Sequence, residues 1–80
     1  MKYVGKFYKC HYRRPYIGVC LDYNDLSVPY KLGIIVTLLI VRDSHGNVPR
    51  KRIVRKLHIS WLEEVDKFDV SYINPDWFKF

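Results

Sequence analysis

The chain lacks a hydrophobic run long enough to cross a bilayer. Its most apolar stretch, Gly33 to Val41, is bounded by Lys31 and Arg42, and about ten residues is half of the roughly 20 that a membrane-spanning helix needs. The N-terminus also lacks a hydrophobic signal segment, and no lipidation motif is present. We therefore expect a cytoplasmic protein without a membrane partner.

Cysteine is scarce, with only Cys10 and Cys20 in the chain. They form no C-x-x-C pair, and their spacing relative to His11, His45 and His58 matches no common structural zinc site. A disulfide is an alternative if the two strands pair, but the absence of a secretion signal favours reduced, buried thiols. We expect neither a metal nor a cofactor.

Catalytic motifs are absent as well. The chain has no glycine loop of the phosphate-binding type, no paired-carboxylate motif and no Ser-His-Asp candidate. Asp22, Asp25 and Asp43 lie in or beside predicted turns, where carboxylates commonly bond local amides. Without a positioned acid, base or nucleophile, we expect a binding protein and not an enzyme.

Positive charge is abundant and unevenly distributed. The chain has 14 Lys and Arg against 8 Asp and Glu, a net charge of +6. Residues 1–56 hold 12 cations against 3 acids, a net of +9, whereas residues 57–80 hold 2 against 5, a net of −3. The basic part is a candidate surface for a polyanion, with solubility as the alternative explanation.

A hairpin around residues 33–59 dominates the predicted fold. Residues 33–41 are uncharged and rich in β-branched side chains, which predicts a strand buried on both faces at the centre of the core. The turn formers of residues 43–47 follow, and Gly46 or Asn47 can adopt a positive φ there. The chain should then reverse and return as a cationic strand.

The returning segment, residues 50–59, is called the basic arm below. Its apolar residues also fit the stripe of an amphipathic helix that continues to Val65. We prefer a strand to Ile59, because Ser60 and Glu63 match a helix capping box and would begin a separate short helical turn. On such a strand the more polar face contains Arg50, Arg52 and Lys56, while Lys51 and Arg55 lie on the other face.

The flanking segments predict a single small domain, residues 1–80, that is mainly β. Residues 1–10 and 16–23 alternate like strands bent at glycines, and residues 68–73 fit a closing strand. Aromatic residues make up 16% of the chain, which suits a small β core. The aromatic C-terminal tail, residues 74–80, should pack on the domain or on a partner.

This pattern resembles the SH3-like small barrels, the group that includes Tudor-like and KOW-type modules. Short strands bent at glycines, a central hairpin and the closing turn Ser60-Trp61-Leu62-Glu63-Glu64-Val65 carry the resemblance, which covers residues 3–73. The chain departs from the group because no KOW glycine pattern surrounds Gly18 and no Tudor-type aromatic cage can be assigned. The expected architecture is a small SH3-like barrel or a strongly bent antiparallel sheet with a short helical turn near residues 60–65.

In size, basicity and aromatic content the chain also resembles the small accessory proteins of bacteriophages, many of which bind a host enzyme or nucleic acid. That resemblance implies a viral protein acting in the host cytoplasm. Nucleic-acid binding through a basic face with exposed tyrosines is the first hypothesis. The predicted contact residues are Arg13, Arg14, Arg50, Arg52 and Lys56 for phosphates, and Tyr12 and Tyr16 for base stacking.

The alternative is a protein-binding module or inhibitor that docks on an acidic host protein. Its hydrophobic anchor would be Trp77, Phe78 and Phe80 in the C-terminal tail. A homodimer formed through the apolar strand is compatible with either function.

Overall fold

The computed structural model describes residues 2–11, 15–29 and 31–79. It forms one antiparallel sheet in the order β4-β3-β2-β1-β5. The strands are β1 (Phe7–Cys10), β2 (Tyr16–Asp25), β3 (Ile34–Arg42), β4 (Val54–His58) and β5 (Leu62–Val65). The predicted mainly β fold is confirmed.

The sheet is strongly bent and not closed. β4 and β5 lie at its opposite edges, yet only a short 3₁₀ turn, Ile59–Trp61, separates them in the chain. The four peptide links from His58 to Leu62 span at most about 14 Å. The sheet must therefore curve until its two edges approach each other at this turn, which matches the strongly bent alternative.

β3 is buried on both sides, as its uncharged sequence predicts. Residues 36–41 are all buried, and their side chains alternate between the two faces of the sheet. The front face bears Leu39, which belongs to a cluster with Val19. The back face bears Leu38, which belongs to a cluster with Cys20. β3 thus supplies the core of both layers.

The C-terminal segment, residues 66–79, covers part of the front face. Phe68 and Val70 pack against the front cluster, and Ile73 is buried within it. The prediction of a closing strand over residues 68–73 is wrong, because local turn bonds use the amides that a strand would need. The amide of Ser71 donates to the Asp69 carboxylate at 2.9 Å, and the amide of Ile73 donates to the Val70 carbonyl at 3.0 Å.

The basic arm is a strand only from Val54 to His58, paired with β3 from Leu39 to Ile35. Residues 50–53 precede the strand without regular structure. The alternative of a continuous helix is excluded, because the bent sheet uses these backbone groups in its ladder.

His58, and not Ser60, caps the short turn that follows β4. Its Nδ1 accepts from the amide of Ser60 at 3.1 Å, and its Nε2 donates to the Leu32 carbonyl at 2.7 Å. Since an amide can only donate, these two bonds select the tautomer with the proton on Nε2. The capping-box prediction is wrong, because Glu63 lies in β5 and pairs with Lys9 of β1.

The predicted chain reversal after β3 is present. Asp43 accepts at Oδ1 from the amides of His45 at 2.8 Å and Asn47 at 2.9 Å, and Gly46 has a φ of +80°. These bonds organise the turn at the start of the loop between β3 and β4.

Candidate nucleic-acid interface

The cations of the basic arm all lie at the surface. The exposed set is Arg50, Lys51, Arg52, Arg55 and Lys56. Within the described part of the chain, none of them lies within 4.0 Å of a carboxylate oxygen. The paired carboxylates contact other cations, such as Glu64 with Lys6 at 3.4 Å. The charge of the arm is therefore not neutralised by these acids.

The strand part of the arm divides its cations between the two faces. Lys56 pairs with Thr37 on the front face, whereas Arg55 pairs with Leu38 on the back face. Arg50 and Arg52 precede the strand, so strand alternation does not place them beside Lys56. The structure thus keeps the predicted cations in one segment but not on one regular face.

Arg52 is fixed against the C-terminal segment. Its Nε donates to the carbonyl of Trp77 at 3.1 Å, and its Nη2 donates to the carbonyl of Lys79 at 3.0 Å. Trp77 and Phe78 pack on the front cluster, so these two aromatic side chains serve the domain itself. Of the remaining predicted site residues, Tyr12, Arg13, Arg14 and Phe80 lie outside the described residues.

Tyr16 is half-buried, whereas the sequence suggested an exposed stacking ring. It pairs with Cys10 across β1 and β2 and packs against the back cluster. Burial and the hydrogen bond with the Cys10 thiol raise the pKa of Tyr16 to about 12, although the nearby Arg55 cation acts in the opposite direction. The hydroxyl therefore stays protonated near neutral pH, and part of the ring is covered by the back cluster.

A different aromatic contact, between Arg42 and Tyr72, lies at the end of β3. The Arg42 guanidinium is 5.1 Å from the ring centroid of Tyr72 and 5.5 Å from that of Phe68. Tyr72 is 48% exposed, so much of its surface is open to solvent. Sequence reasoning missed this pair because the two residues are 30 positions apart. The only signal for Arg42 was its position as the cation at the end of an apolar strand.

Arg42 also lines a groove of about 310 Å³ at the end of the sheet, called the hairpin groove here. Lys9 and Ile17 share its front-face side, because Lys9 pairs with Ile17 and Ile17 pairs with Arg42. The other lining residues are Pro15, Tyr16, Asp43, Ser44, Gly46 and Phe68. The groove combines two cations with apolar walls, which suits an anionic ligand with a flat apolar part.

The carboxylates near this groove already have partners. Asp43 accepts two loop amides, chiefly that of Asn47, which hold the pKa of its carboxyl below the usual value. Glu63 lies opposite Lys9, but its Oε2 is 2.7 Å from Nε2 of His11. The amide and hydroxyl of Ser71 lower the pKa of Asp69, and Arg42 adds to that effect. Lys9 itself has no ion-pair partner among the described residues.

Possible metal ligands are dispersed among the described residues. These residues contain no group of three or more His, Cys, Asp or Glu side chains that could hold a metal ion. Cys10 and Cys20 are both buried and are not joined in a disulfide, and burial raises the pKa of the Cys20 thiol. The predicted disulfide alternative is therefore not formed.

No protein-family model, curated protein or solved structure matches this chain. Among the described residues, no helix has the length and apolar character needed to span a membrane.

Proposed function

We propose that this protein is a non-catalytic nucleic-acid-binding module, with the basic arm as its phosphate-binding surface. The observation that carries the proposal is the set of five exposed cations in residues 50–56 without a carboxylate partner among the described residues. Lys and Arg that neutralise phosphates release counterions, which drives binding of nucleic acid of any sequence.

The Arg42–Tyr72 pair supports a preference for unpaired bases. Aromatic rings and guanidinium planes stack on bases that have left a duplex, and each such stack is worth about 1–3 kcal/mol. The amide of Ile40 donates to the carbonyl of Ile53 at 2.9 Å, which brings the first part of the arm alongside the end of β3. Phosphate contacts on the arm and a base on Tyr72 are therefore compatible with one bound strand.

Fluorescence anisotropy tests the proposal with labelled single-stranded RNA, single-stranded DNA and duplex DNA of about 12 nucleotides, within the range that small β modules cover. We expect binding at low salt that weakens steeply as salt rises, with single strands favoured over the duplex. Absence of binding at low salt, or an affinity that does not change with salt, would contradict the proposal.

The alternative of docking on an acidic host protein has less support. Two of its three predicted anchor residues, Trp77 and Phe78, already pack on the front cluster. A homodimer through β3 also loses its rationale, because residues 36–41 are buried within the chain. Capture of a partner from host lysate that survives both nuclease treatment and high salt would favour the protein-binding alternative over ours.

We also retain the SH3-like barrel as a proposal for the family of this fold. The 3₁₀ turn that directly precedes the last strand supports it. The bacteriophage origin likewise stays a prediction from composition and size.

A further inference from the structure

A second groove, of about 380 Å³, lies on the part of the front face that the C-terminal segment leaves open. The segment packs over Leu39 and Val41, whereas Ile35, further along β3, is only half-buried and lines this groove. We call it the distal groove. Its other lining residues are Asp22, Tyr23, Asn24, Leu26, Thr37 and Lys56.

Three polar side chains cross the distal groove in one row. Asp22 on β2 pairs with Thr37 on β3, which pairs with Lys56 on β4. Cross-strand partners share a face, so the Asp22 carboxylate and the Lys56 ammonium group lie on either side of Thr37, which forms the floor of the groove and carries a hydroxyl. With neighbouring strands about 4.8 Å apart, the backbones that carry the two charges are roughly 10 Å apart.

The two charges do not neutralise each other. No ion pair within 4.0 Å joins Asp22 and Lys56 to each other or to another described residue. Thr37 is only 5% exposed and is the buried polar residue of the described core. A polar position at the centre of an otherwise aliphatic strand is unusual, and here it faces the groove between the two charges.

From this arrangement we propose that the distal groove binds a guanine nucleotide. The Asp22 carboxylate, which only accepts hydrogen bonds, matches the two adjacent donors N1–H and N2–H₂ of guanine. Ile35 and Leu26 offer apolar surface to the flat base. Lys56, on the opposite side, binds the phosphate as a point charge.

Other bases satisfy the groove less well. Adenine and cytosine each present one amino group beside an acceptor, and that acceptor would face the Asp22 carboxylate. Uracil presents one N–H between two carbonyl oxygens. A two-bond contact to the right base is typically worth about 1–3 kcal/mol, or a preference of roughly fivefold to 150-fold. This inference goes beyond the proposed function, since a free mononucleotide can occupy the groove whether or not the basic arm binds a polymer.

The test is an NMR titration of the ¹⁵N-labelled full chain with GMP, AMP, CMP and UMP at constant ionic strength. We expect GMP to shift the backbone amides of Ile35 and Thr37 saturably, with an affinity about tenfold above that for CMP. Equal shifts from all four nucleotides, or GMP shifts confined to residues outside the groove, would overturn the proposal.

Two variants separate the roles of the charges. Asp22→Asn keeps the size of the side chain, and we expect it to lower GMP affinity about tenfold without lowering CMP affinity, because the new amide group can donate to the cytosine acceptor. Lys56→Gln should reduce GMP affinity to that of guanosine. Lys67→Gln is the matched control, with the same change of charge at an exposed lysine outside both the groove and the basic arm. If Asp22→Asn binds GMP as tightly as the parent chain does, guanine recognition is refuted.

The same spectra distinguish this inference from the proposed function. Each spectrum also reports whether the variant is folded. A parent chain that binds the oligonucleotide at low salt but not GMP would refute only the distal groove. A parent chain that binds GMP but not the oligonucleotide would refute only the role of the basic arm.

Discussion

The guanidinium of Arg42 lies 5.1 Å from the ring centroid of Tyr72, which is nearly half exposed. β3 positions Arg42, and the C-terminal segment that covers the front face positions Tyr72. The pair therefore joins a rigid strand to a surface aromatic ring, next to the groove that Lys9 also lines.

Replacement of Tyr72 tests the stacking role. Tyr72→Ala should weaken binding of a single-stranded oligonucleotide by about 1–3 kcal/mol, because the base loses its stacking surface. Tyr72→Phe keeps the ring and should bind within about twofold of the parent chain, as expected for stacking that tolerates any flat ring. Anisotropy titrations measure both, and equal losses in the two variants would argue for a role of the hydroxyl instead.

Arg52 should stabilise the fold as well as carry charge. Its two hydrogen bonds reach the carbonyls of Trp77 and Lys79. Arg52→Lys keeps the charge but not the planar fork of donors, and we expect a loss of about 1 kcal/mol in the free energy of unfolding. Urea denaturation measures it. Arg50→Lys is the control, and a similar loss there would show that the carbonyl contacts are not the cause.

β3 and the turn that follows it show what a single sequence can predict. The uncharged run over residues 33–41 has only one stable environment, a strand covered on both faces, and β3 occupies it. The turn at residues 43–47 was equally predictable, because Asp43 and Gly46 have the side chain and the backbone freedom that it needs.

The irregular structure of residues 68–73 and the half-buried position of Tyr16 could not be predicted from the sequence, for a physical reason. Alternation of Phe68, Val70 and Tyr72 fits a strand and also fits an irregular segment that packs on a sheet. Which of the two forms depends on where the backbone amides bond, and here the amides of Ser71 and Ile73 donate to nearby residues of the same segment. Likewise, Tyr16 packs on the back face because it pairs with Cys10, which lies on that face. Composition does not determine this strand register.

Gly33 and Gly46 both have a positive φ but differ in their surroundings. Their alanine variants therefore form a matched pair for comparing stability. A Cβ at Gly33 would lie 2.5 Å from Nε2 of His58, whereas one at Gly46 would meet nothing within 4 Å. Gly46→Ala should cost about 1 kcal/mol from backbone conformation alone. Gly33→Ala should cost at least about 1 kcal/mol more, because it also displaces the His58 ring from the Leu32 carbonyl.

Thermal or urea unfolding of both variants measures that difference. Equal destabilisation would mean that the contact between His58 and Gly33 does not hold the loop before β3 in place.

Three aspartates with local amide partners predict a loss of stability in acid. Hydrogen bonds from neighbouring residues lower the pKa of Asp25, Asp43 and Asp69 from the usual 3.8. A carboxyl with a lower pKa in the folded chain adds stability above its unfolded pKa, and that stability is lost as pH falls through the folded pKa. The urea midpoint should therefore change little from pH 7 to pH 5 and fall below about pH 4.

Asp43→Asn isolates one of these groups. The amide oxygen can still accept from the amides of His45 and Asn47, but it does not titrate in this range. The variant should lose less stability between pH 5 and pH 3 than the parent chain does. An unchanged acid dependence would remove Asp43 from this explanation.

The most direct test of the central claim compares the salt dependence of single-stranded oligonucleotide binding in two double variants. Arg50→Gln/Lys51→Gln removes two cations from the basic arm, and Lys6→Gln/Lys79→Gln removes two that face carboxylates. We predict that the first lowers the slope of log affinity against log salt by up to about 1.4, since each phosphate contact contributes about 0.7, while the second leaves it unchanged. Equal slopes in the two double variants would contradict the basic arm as the phosphate-binding surface.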